Sequence, residues 1–393
     1  MLRLPSQVRR LKVALVYNQK KEDHSQSGAE DQGEPPSTVL NPYLQGTPSK
    51  EHLPTVQQIN YSNDRYAEWD THETIQAVKN ALAEIHDVTM IEADEHAYER
   101  LRTSKPDIVF NIAEGLNGVS REAQVPAMLE LLRIPYSGSD PLTLATCLDK
   151  SRAKEILSYY GVATPKFIVV SDFSNLHELA FPLPAMVKPL HEGSSKGIYN
   201  SSVARSKQDL TREITKILQS YEQPALVEEY LEGREFTVAM LGNGEKLLVL
   251  PIVEIKFDSL PTGVNPIYSY EAKWIWDRSD APLDIFQCPA QLPPSLQTQI
   301  EDLCRKAYTI LRCRDWCRID VRLDAKGDPH IIELNPLPGI LPNPEDNSCF
   351  PKAARAAGIP YNKLLQTVLA LAAQRNGLLK NHPTNHPQYS RAL

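Results

Sequence analysis

The sequence has no block of lysine or arginine, no run approaching 18 apolar residues, and no cysteine and histidine grouping with metal-ligand spacing. Each absence removes a class of function. With 42 basic against 49 acidic residues, a net charge of −7 and the basic residues dispersed, a nucleic-acid partner has no electrostatic footprint. Without a long apolar run no membrane span is expected, and the opening MLRLPSQVRRLK lacks the apolar stretch of a secretory signal, so the expected location is cytoplasmic. The six cysteines, at 147, 288, 304, 313, 317 and 349, are scattered, with only Cys313 and Cys317 near each other; they read as free structural thiols. There is no internal repeat, and G-L-N-G at 115–118 is not a G-x-G-x-x-G dinucleotide fingerprint.

What is present needs more than one core, because 393 residues exceed what a single one organises well. Lys12–Asn18 reads as a buried strand. Residues 19–69 are polar and rich in Gln, Ser, Pro and acids, a composition that cannot offset the entropy of ordering. A mobile insertion is expected there, either without a function of its own or, because it leaves the carboxyl end of a strand, as a lid or substrate loop. Asp70 with Glu73 forms a capping-box signal, followed by Ile75, Val78, Leu82 and Ile85 on one helical face. Short apolar strands at Val88–Ile91 and Asp107–Asn111 then alternate with helices, as in a small Rossmann-like parallel sheet. Further on, one helix is expected over Thr143–Tyr160, another over Ser206–Tyr221, an irregular stretch over Lys256–Pro294, and a last helix near Tyr361–Arg375.

The stretch with the sharpest chemistry is Arg318–Gly339, R-I-D-V-R-L-D-A-K-G-D-P-H-I-I-E-L-N-P-L-P-G. It reads as a hairpin around Lys326 and Gly327 that sets Asp320 opposite Glu333 and Arg318 opposite Asn335. Period-two alternation puts those four on one face and Ile319, Val321, Ile332 and Leu334 on the other. Two carboxylates directly across a strand pair repel, so the face calls for a cation, and an Asp, Glu and Asn oxygen set suits hard Mg²⁺. A plainer alternative is a solvated face on which Arg318 neutralises the acids.

Elsewhere, E-G-S-S-K-G at 192–197 follows a strand ending in Lys188. Glycines there let backbone N–H groups approach a polyphosphate, and the lysine adds a point charge. Lys150, at a helix start, can reach the same pocket. Glu228 and Glu235, seven apart, can accept hydrogen bonds from an adenine amine and from ribose hydroxyls.

The order of these features resembles the ATP-grasp superfamily. More narrowly, L-D-K-S-R-A-K, V-K-P-L-H-E-G-S-S-K-G, V-E-E-Y-L-E-G-R-E-F-T-V, Y-E-A-K, C-R-I-D-V-R-L-D and I-I-E-L-N-P-L-P-G resemble the D-alanine–D-alanine ligase family over roughly residues 105–375. The resemblance implies an α/β and α+β ATP-grasp fold: a Rossmann-like substrate domain at 1–137, a small subdomain with the phosphate loop at 138–231, a metal-bearing subdomain at 232–375 and a flexible tail at 376–393. It implies ATP held by Lys150, Lys188, the Gly193, Ser194 and Ser195 backbone, Glu228 for the adenine amine beside the Leu231 backbone, Glu235 for the ribose, and Lys273 at the γ-phosphate. Two Mg²⁺ ions, or Mn²⁺, would sit on Asp320, Glu333 and Asn335. The implied catalytic groups are Arg318, Lys273, Gly339 and Ser194, acting on an acyl phosphate that an amine attacks. Small molecules, an amino acid or a peptide, would be the substrates, a homodimer the assembly, and peptidoglycan synthesis the pathway.

Departures cluster at the substrate end. In place of the family's Gly-Gly-x-Ser-x-Glu segment stands N-Q-K-K-E-D-H-S, with Glu22 as the stand-in acid, and A-E-G-L-N-G replaces a His-Gly segment. The tyrosine after Y-E-A-K is Trp274, which brings no hydroxyl. P-N-P-E-D-N-S-C-F-P at 342–351 is longer than usual, with Ser348 still able to hold a second substrate's carboxylate. Two rival readings follow: an ATP-grasp ligase for other amino acids or a peptide, and a nucleotide-binding module without ligase chemistry.

Overall fold

A computed structural model describes residues 9–21, 66–115, 117–174, 176, 178–277 and 283–379. The first sheet is parallel, in the order β2-β1-β3, from β1 (Lys12–Tyr17), β2 (Asp87–Glu92) and β3 (Ile108–Asn111). Helix α1 (His72–Ala83) sits on one face, and α2 (Ala97–Ser104) and α3 (Gln124–Leu132) cover the other. Ile75, Val78 and Leu82 are fully buried, as their spacing predicts. The cap of α1 is Thr71, whose side chain accepts from the Thr74 N–H, and not Asp70. Asp70 comes one residue too early: its carbonyl takes the Lys20 N–H at 2.8 Å in a bridge that extends β1.

That bridge also narrows the polar insertion. Residues 22–65, Glu22 among them, lie outside the described residues, but Gln19–Lys21 and Tyr66–Trp69 are folded, with the Trp69 indole donating to the Gly115 carbonyl at 2.9 Å.

The expected helix over Thr143–Tyr160 is two helices, α4 (Pro141–Leu148) and α5 (Lys150–Tyr159). Asp149, in extended conformation between them, breaks the first and caps the second by accepting from the Ser151 and Arg152 N–H groups. The break puts Lys150 at the first position of α5. An antiparallel sheet follows in the order β4-β7-β5-β6, from β4 (Phe167–Val170), β5 (Ala185–Pro189), β6 (Val203–Ala204) and β7 (Ala225–Glu229), backed by α6 (Lys207–Ser220).

The third sheet runs β11-β10-β8-β12-β13, with β9 paired to β8; its strands are β8 (Glu235–Leu241), β9 (Leu248–Val249), β10 (Val253–Ile255), β11 (Phe286–Gln287), β12 (Trp316–Leu323) and β13 (Pro329–Asn335). Helix α7 (Pro294–Ile310) packs on β12 and β13. Helix α8 (Cys349–Ala356) lies within a stretch not expected to be helical, and α9 (Tyr361–Arg375) falls at its expected place. The core of the first sheet is shared with the end of the chain. Leu364, Leu365, Val368 and Leu369 of α9 join Ile75 and Leu82 of α1 in one apolar cluster, and Trp316 stands edge-on to both Phe110 and Phe350. Leu379 belongs to the same cluster, so the expected tail is packed at its start; residues 380–393 lie outside the described residues.

The hairpin register is Arg318↔Asn335, Ile319↔Leu334 and Asp320↔Glu333, as the alternation predicts. A bulge then pairs Val321 with Ile331, so Ile331, 1% exposed, enters the core, while Ile332 borders the cleft. Strict alternation misplaces Ile332 because an extra residue in one strand reverses every side chain beyond it.

Candidate active site

A cleft opens where the three sheets meet, and it collects side chains that are far apart in sequence. The hairpin face supplies Arg318, Asp320, Glu333 and Asn335. Arg318 forks onto Asp320 at 3.1 and 3.0 Å and comes within 3.9 Å of Glu333. The Asn335 amide donates to Asp320 at 3.2 Å and to Glu333 at 3.4 Å. Both acids are thus met by donors, as two apposed carboxylates require. Burial pushes Glu333 up, but Lys150, Lys188 and Arg318 outweigh it and bring its carboxyl down to about 2. Asp320 goes the other way: burial raises it, Arg318 opposes, and Glu333 adds to the rise. One neighbouring carboxylate is held ionised and the other is costly to ionise, a state that a divalent cation relieves. Turning the Asn335 amide about its last bond would offer its oxygen beside the two carboxylates, so the donor set fits a hard metal ion.

Facing the hairpin are the lysines. Lys150 Nζ donates to the Glu192 carbonyl and lies 3.6 Å from Glu333. Lys188 pairs with Glu228 at 2.6 Å, and Lys154, which sequence reasoning did not single out, pairs with the same acid at 3.0 Å. All three are buried. Burial would push Glu228 up, but the two lysines hold it below its usual range. Glu228, expected to meet an adenine amine, is therefore fixed by two cations beneath the cleft wall. Glu235 pairs with Arg322 at 2.8 Å, and Leu231 lines the same wall.

The Gly/Ser loop is shaped by backbone strain. Ser194 and Ser195 have φ of 50° and 60°, left-handed values rare for residues with a Cβ. The Gly193 N–H donates to Glu68 at 2.7 Å, and a Cβ on Gly193 would stand 2.8 Å from the same oxygen. Glu68 also takes two hydrogen bonds of 2.7 Å from Arg121, which in turn donates to the His191 carbonyl at 2.7 Å and lies 3.5 Å from Glu192. Glu68 and Arg121 were not anticipated. Glu68 is the acid that the structure brings to the loop, whereas Glu22 lies outside the described residues.

The irregular segment lies over this loop. Ser195 donates to the Tyr268 carbonyl at 2.8 Å, the Tyr270 N–H to the Ile198 carbonyl at 2.7 Å, and Asn265 binds Asn200 through backbone and side chain. Lys273 and Trp274 sit in a π-helical turn, Glu271–Trp276. Lys273 has no carboxylate partner among the described residues; burial, with Arg318 nearby, lowers it to about 8. Trp274 lacks the expected hydroxyl but has a donor: its indole N–H reaches the Ser194 carbonyl at 3.1 Å, and Lys20 lies 5.0 Å from its ring. Gly339 borders the cleft with open space where a Cβ would stand. Ser348 is buried beside it, donating to the Gly339 carbonyl and accepting from the Leu341 N–H, each at 3.2 Å.

Glu114, Glu122 and Asp70 line the cleft near Lys150, Lys273 and Arg318, with no side-chain hydrogen bond or ion pair among the described residues. Burial pushes Asp70 up to about 7; it raises Glu122 to about 7 against the pull of Arg121, and Glu114 well above its usual range.

A family model described as D-ala D-ala ligase C-terminus matches residues 156–370. The chain is 35% identical over 324 residues to uncharacterized protein y4sG of Sinorhizobium fredii, covering 79% of this chain and 91% of that protein. It is 31% identical over 330 residues to a D-alanine–D-alanine ligase of Pelotomaculum thermopropionicum, covering 81% and 95%. Its fold is similar to that of the D-alanine–D-alanine ligase from Bacillus anthracis complexed with ATP, with a TM-score of 0.59, 24% identity, and 79% and 96% of the two chains covered. The fold is the ATP-grasp fold. The chain belongs to the D-alanine–D-alanine ligase family and is an ATP-dependent ligase of that type. No described helix is long and apolar enough to cross a membrane.

Proposed function

We propose that the protein joins two amino acids by an amide bond at the expense of ATP, with D-alanine as both partners in the first reading. The observation that carries this is one cleft with Arg318, Asp320, Glu333 and Asn335 on one wall, Lys150, Lys188 and Lys273 around it, and a segment closed over the Gly/Ser loop. In this reading Lys150 and Lys188 hold the inner phosphates, the Gly193–Ser195 backbone covers the outer ones, and Lys273 meets the γ-phosphate. Leu231 and Glu228 flank the adenine, and Glu235 takes the ribose. Asp320, Glu333 and Asn335 hold Mg²⁺, which when bound offsets charge on the transferring phosphoryl group.

The carboxylate of the first amino acid attacks the γ-phosphorus; its O–P bond forms as the bond to ADP breaks. The second amino acid, once its ammonium has lost a proton, attacks the acyl carbon, the C–N bond forms, and phosphate leaves. Arg318 and the Gly339 N–H stabilise the oxyanion between those events, a contribution of about 3 to 4 kcal/mol for such donors. Ser194, Ser348 and Trp274 border the amino-acid positions. The segment around Lys273 excludes water, which would otherwise hydrolyse the acyl phosphate. Free thiols and the absence of a membrane helix among the described residues support a cytoplasmic setting, and we take the homodimer as the assembly to test by sedimentation.

A second reading keeps the chemistry and changes the donor to an amino acid with an additional cationic group. It is favoured by Asp70 and Glu122, which burial pushes up to about 7, and by Glu114, which burial raises well above its usual range; each would ionise more readily on meeting a cation. Measuring ADP release with Mg-ATP, first with D-alanine and then with pooled amino acids including basic ones, decides. ADP plus the D-alanine dipeptide by mass supports the first reading, and release only with a basic amino acid supports the second. Nucleotide binding with no amine-dependent release would remove both.

A further inference from the structure

Arg322 lies two residues past Asp320 on β12, pairs across the sheet with Glu235 on β8, and is 5% exposed. Its Nη1 donates to Glu235 Oε2 at 2.8 Å. Its Nη2 donates to the Pro266 carbonyl at 2.7 Å and lies 3.3 Å from the Tyr230 hydroxyl. The guanidinium stands 5.0 Å from the Tyr230 ring centre and 5.5 Å from that of Phe257. The remaining donor, Nε, is buried and makes no hydrogen bond, although the side chain borders the same cleft as Leu231, Glu235 and Lys188. A buried donor left unpaired is a cost that native structures seldom carry without a reason.

These contacts join three parts of the molecule at one planar group. Glu235 belongs to the third sheet, Tyr230 to the connection between β7 and β8, and Phe257 and Pro266 to the segment that closes over the Gly/Ser loop. A lysine could not do this, since it offers one point charge where Arg322 offers a rigid planar fork beside two aromatic rings. The cleft wall it supports is the one assigned above to the ribose.

We infer that Arg322 is a positioning residue for the nucleotide ribose: it fixes the rotamer of Glu235 that faces the cleft and ties that carboxylate to the closing segment through the Pro266 carbonyl. The ribose is then read fully only when the segment is closed. This rests on Glu235 as the ribose acid.

The test is calorimetric binding of Mg-ATP and of its 2′-deoxy and 3′-deoxy analogues to the full chain, for the wild type, Arg322→Met, Glu235→Gln and the double variant. Methionine keeps the length and can pack beside the two rings. The wild type is expected to prefer ATP over at least one deoxy analogue by about tenfold, the scale of a hydrogen bond to a charged group. Arg322→Met should weaken ATP by about the same factor and leave that analogue within about twofold, so the preference disappears. The double variant should bind ATP no more weakly than either single one, because both remove the same contact. In turnover, KM for ATP should rise while kcat stays within about threefold, since the interaction is with bound substrate and not only the transition state.

If Arg322→Met keeps the wild-type preference, the inference is overturned and Arg322 only packs. Should that variant fail to fold, Arg322→Lys serves: a lost preference supports the inference and an unchanged one overturns it. A wild type that binds ATP and both analogues equally removes Glu235 from the ribose, and one that binds no ATP removes the nucleotide assignment itself.

Discussion

Three acids of the cleft wall have a cation within the chain: Glu228 lies between Lys154 and Lys188, Glu235 lies on Arg322, and Asp320 lies on Arg318. Asp70, Glu114 and Glu122, which line the cleft beside Lys150, Lys273 and Arg318, make no ion pair among the described residues; Arg121 and Lys150 only draw Glu122 down from a distance, and the hydrogen bonds of Arg121 go to Glu68, Glu192 and the His191 carbonyl. The first arrangement is set before any ligand arrives, which suits a co-substrate that is always the same. The second has no ion pair, and burial pushes the Asp70 and Glu122 carboxyls up to about 7. In the reading proposed above, the paired acids serve the nucleotide and the unpaired ones the amino acids, and Glu68 with the Gly193 N–H lies where the two sets meet.

The largest test of that division removes one acid from the hairpin. Asp320→Asn or Glu333→Gln should lower kcat on the order of a thousandfold, with circular dichroism unchanged, because each takes one carboxylate from the proposed metal donor set and puts in its place an amide of the same shape. Retention of most activity in steady-state assays would break the assignment of the hairpin face. Glu68→Gln comes next. It should raise KM for the amino acids about a hundredfold and leave KM for ATP within about threefold, if Glu68 serves the substrate end. A rise in the ATP value instead would show that the Glu68 hold on Gly193 belongs to nucleotide binding, and the two ends would no longer be separable. Some loss of melting temperature is expected as well, since Arg121 would be left with half its partner.

A pH profile sharpens the same comparison from the nucleotide side. Lys273 is brought down to about 8 by burial and by Arg318, so the free enzyme loses that charge as pH rises through about 8. A neutral amine cannot offset phosphate charge, and kcat/KM for ATP should fall about tenfold per unit above that point. Lys273→Arg, which keeps its charge, should flatten the limb. An unchanged limb in that variant would assign the titration to another group.

What could be read from the chain follows the same division. The hairpin face was legible because a strand has period two and a short turn fixes its register; Ile332 was not, because nothing in the sequence marks the bulge that turns it towards the cleft. Lys150, Lys188 and the Gly/Ser loop were legible because their chemistry lies in contiguous motifs. Glu68 was not, since it stands at the far end of a polar stretch whose path no periodicity constrains, and Glu22 lay nearer the strand. Arg121 gave one signal that went unused: a basic residue with an acid after it, at the entry to an apolar helix. Asp149 between two apolar segments was a cap signal that could have divided α4 from α5.

Trp274 lies on the boundary between the ends and should give the smallest effect. Its ring is 37% exposed, its N–H reaches the Ser194 carbonyl, and Lys20 and Lys273 lie 5.0 and 5.2 Å from the ring centre. Trp274→Phe keeps an aromatic face for the two cations and removes only the indole donor, a partly solvated hydrogen bond worth about 0.5 to 1 kcal/mol. That predicts a loss of about threefold in kcat, with neither amino-acid preference nor KM for ATP altered. A changed preference among amino acids would mean that the closing segment helps to choose the substrate, and the acidic wall would no longer hold that role alone. A loss of a hundredfold or more would mean instead that closure over the loop depends on this one contact, despite the backbone and side-chain bonds that Ser195, Tyr270 and Asn265 already make.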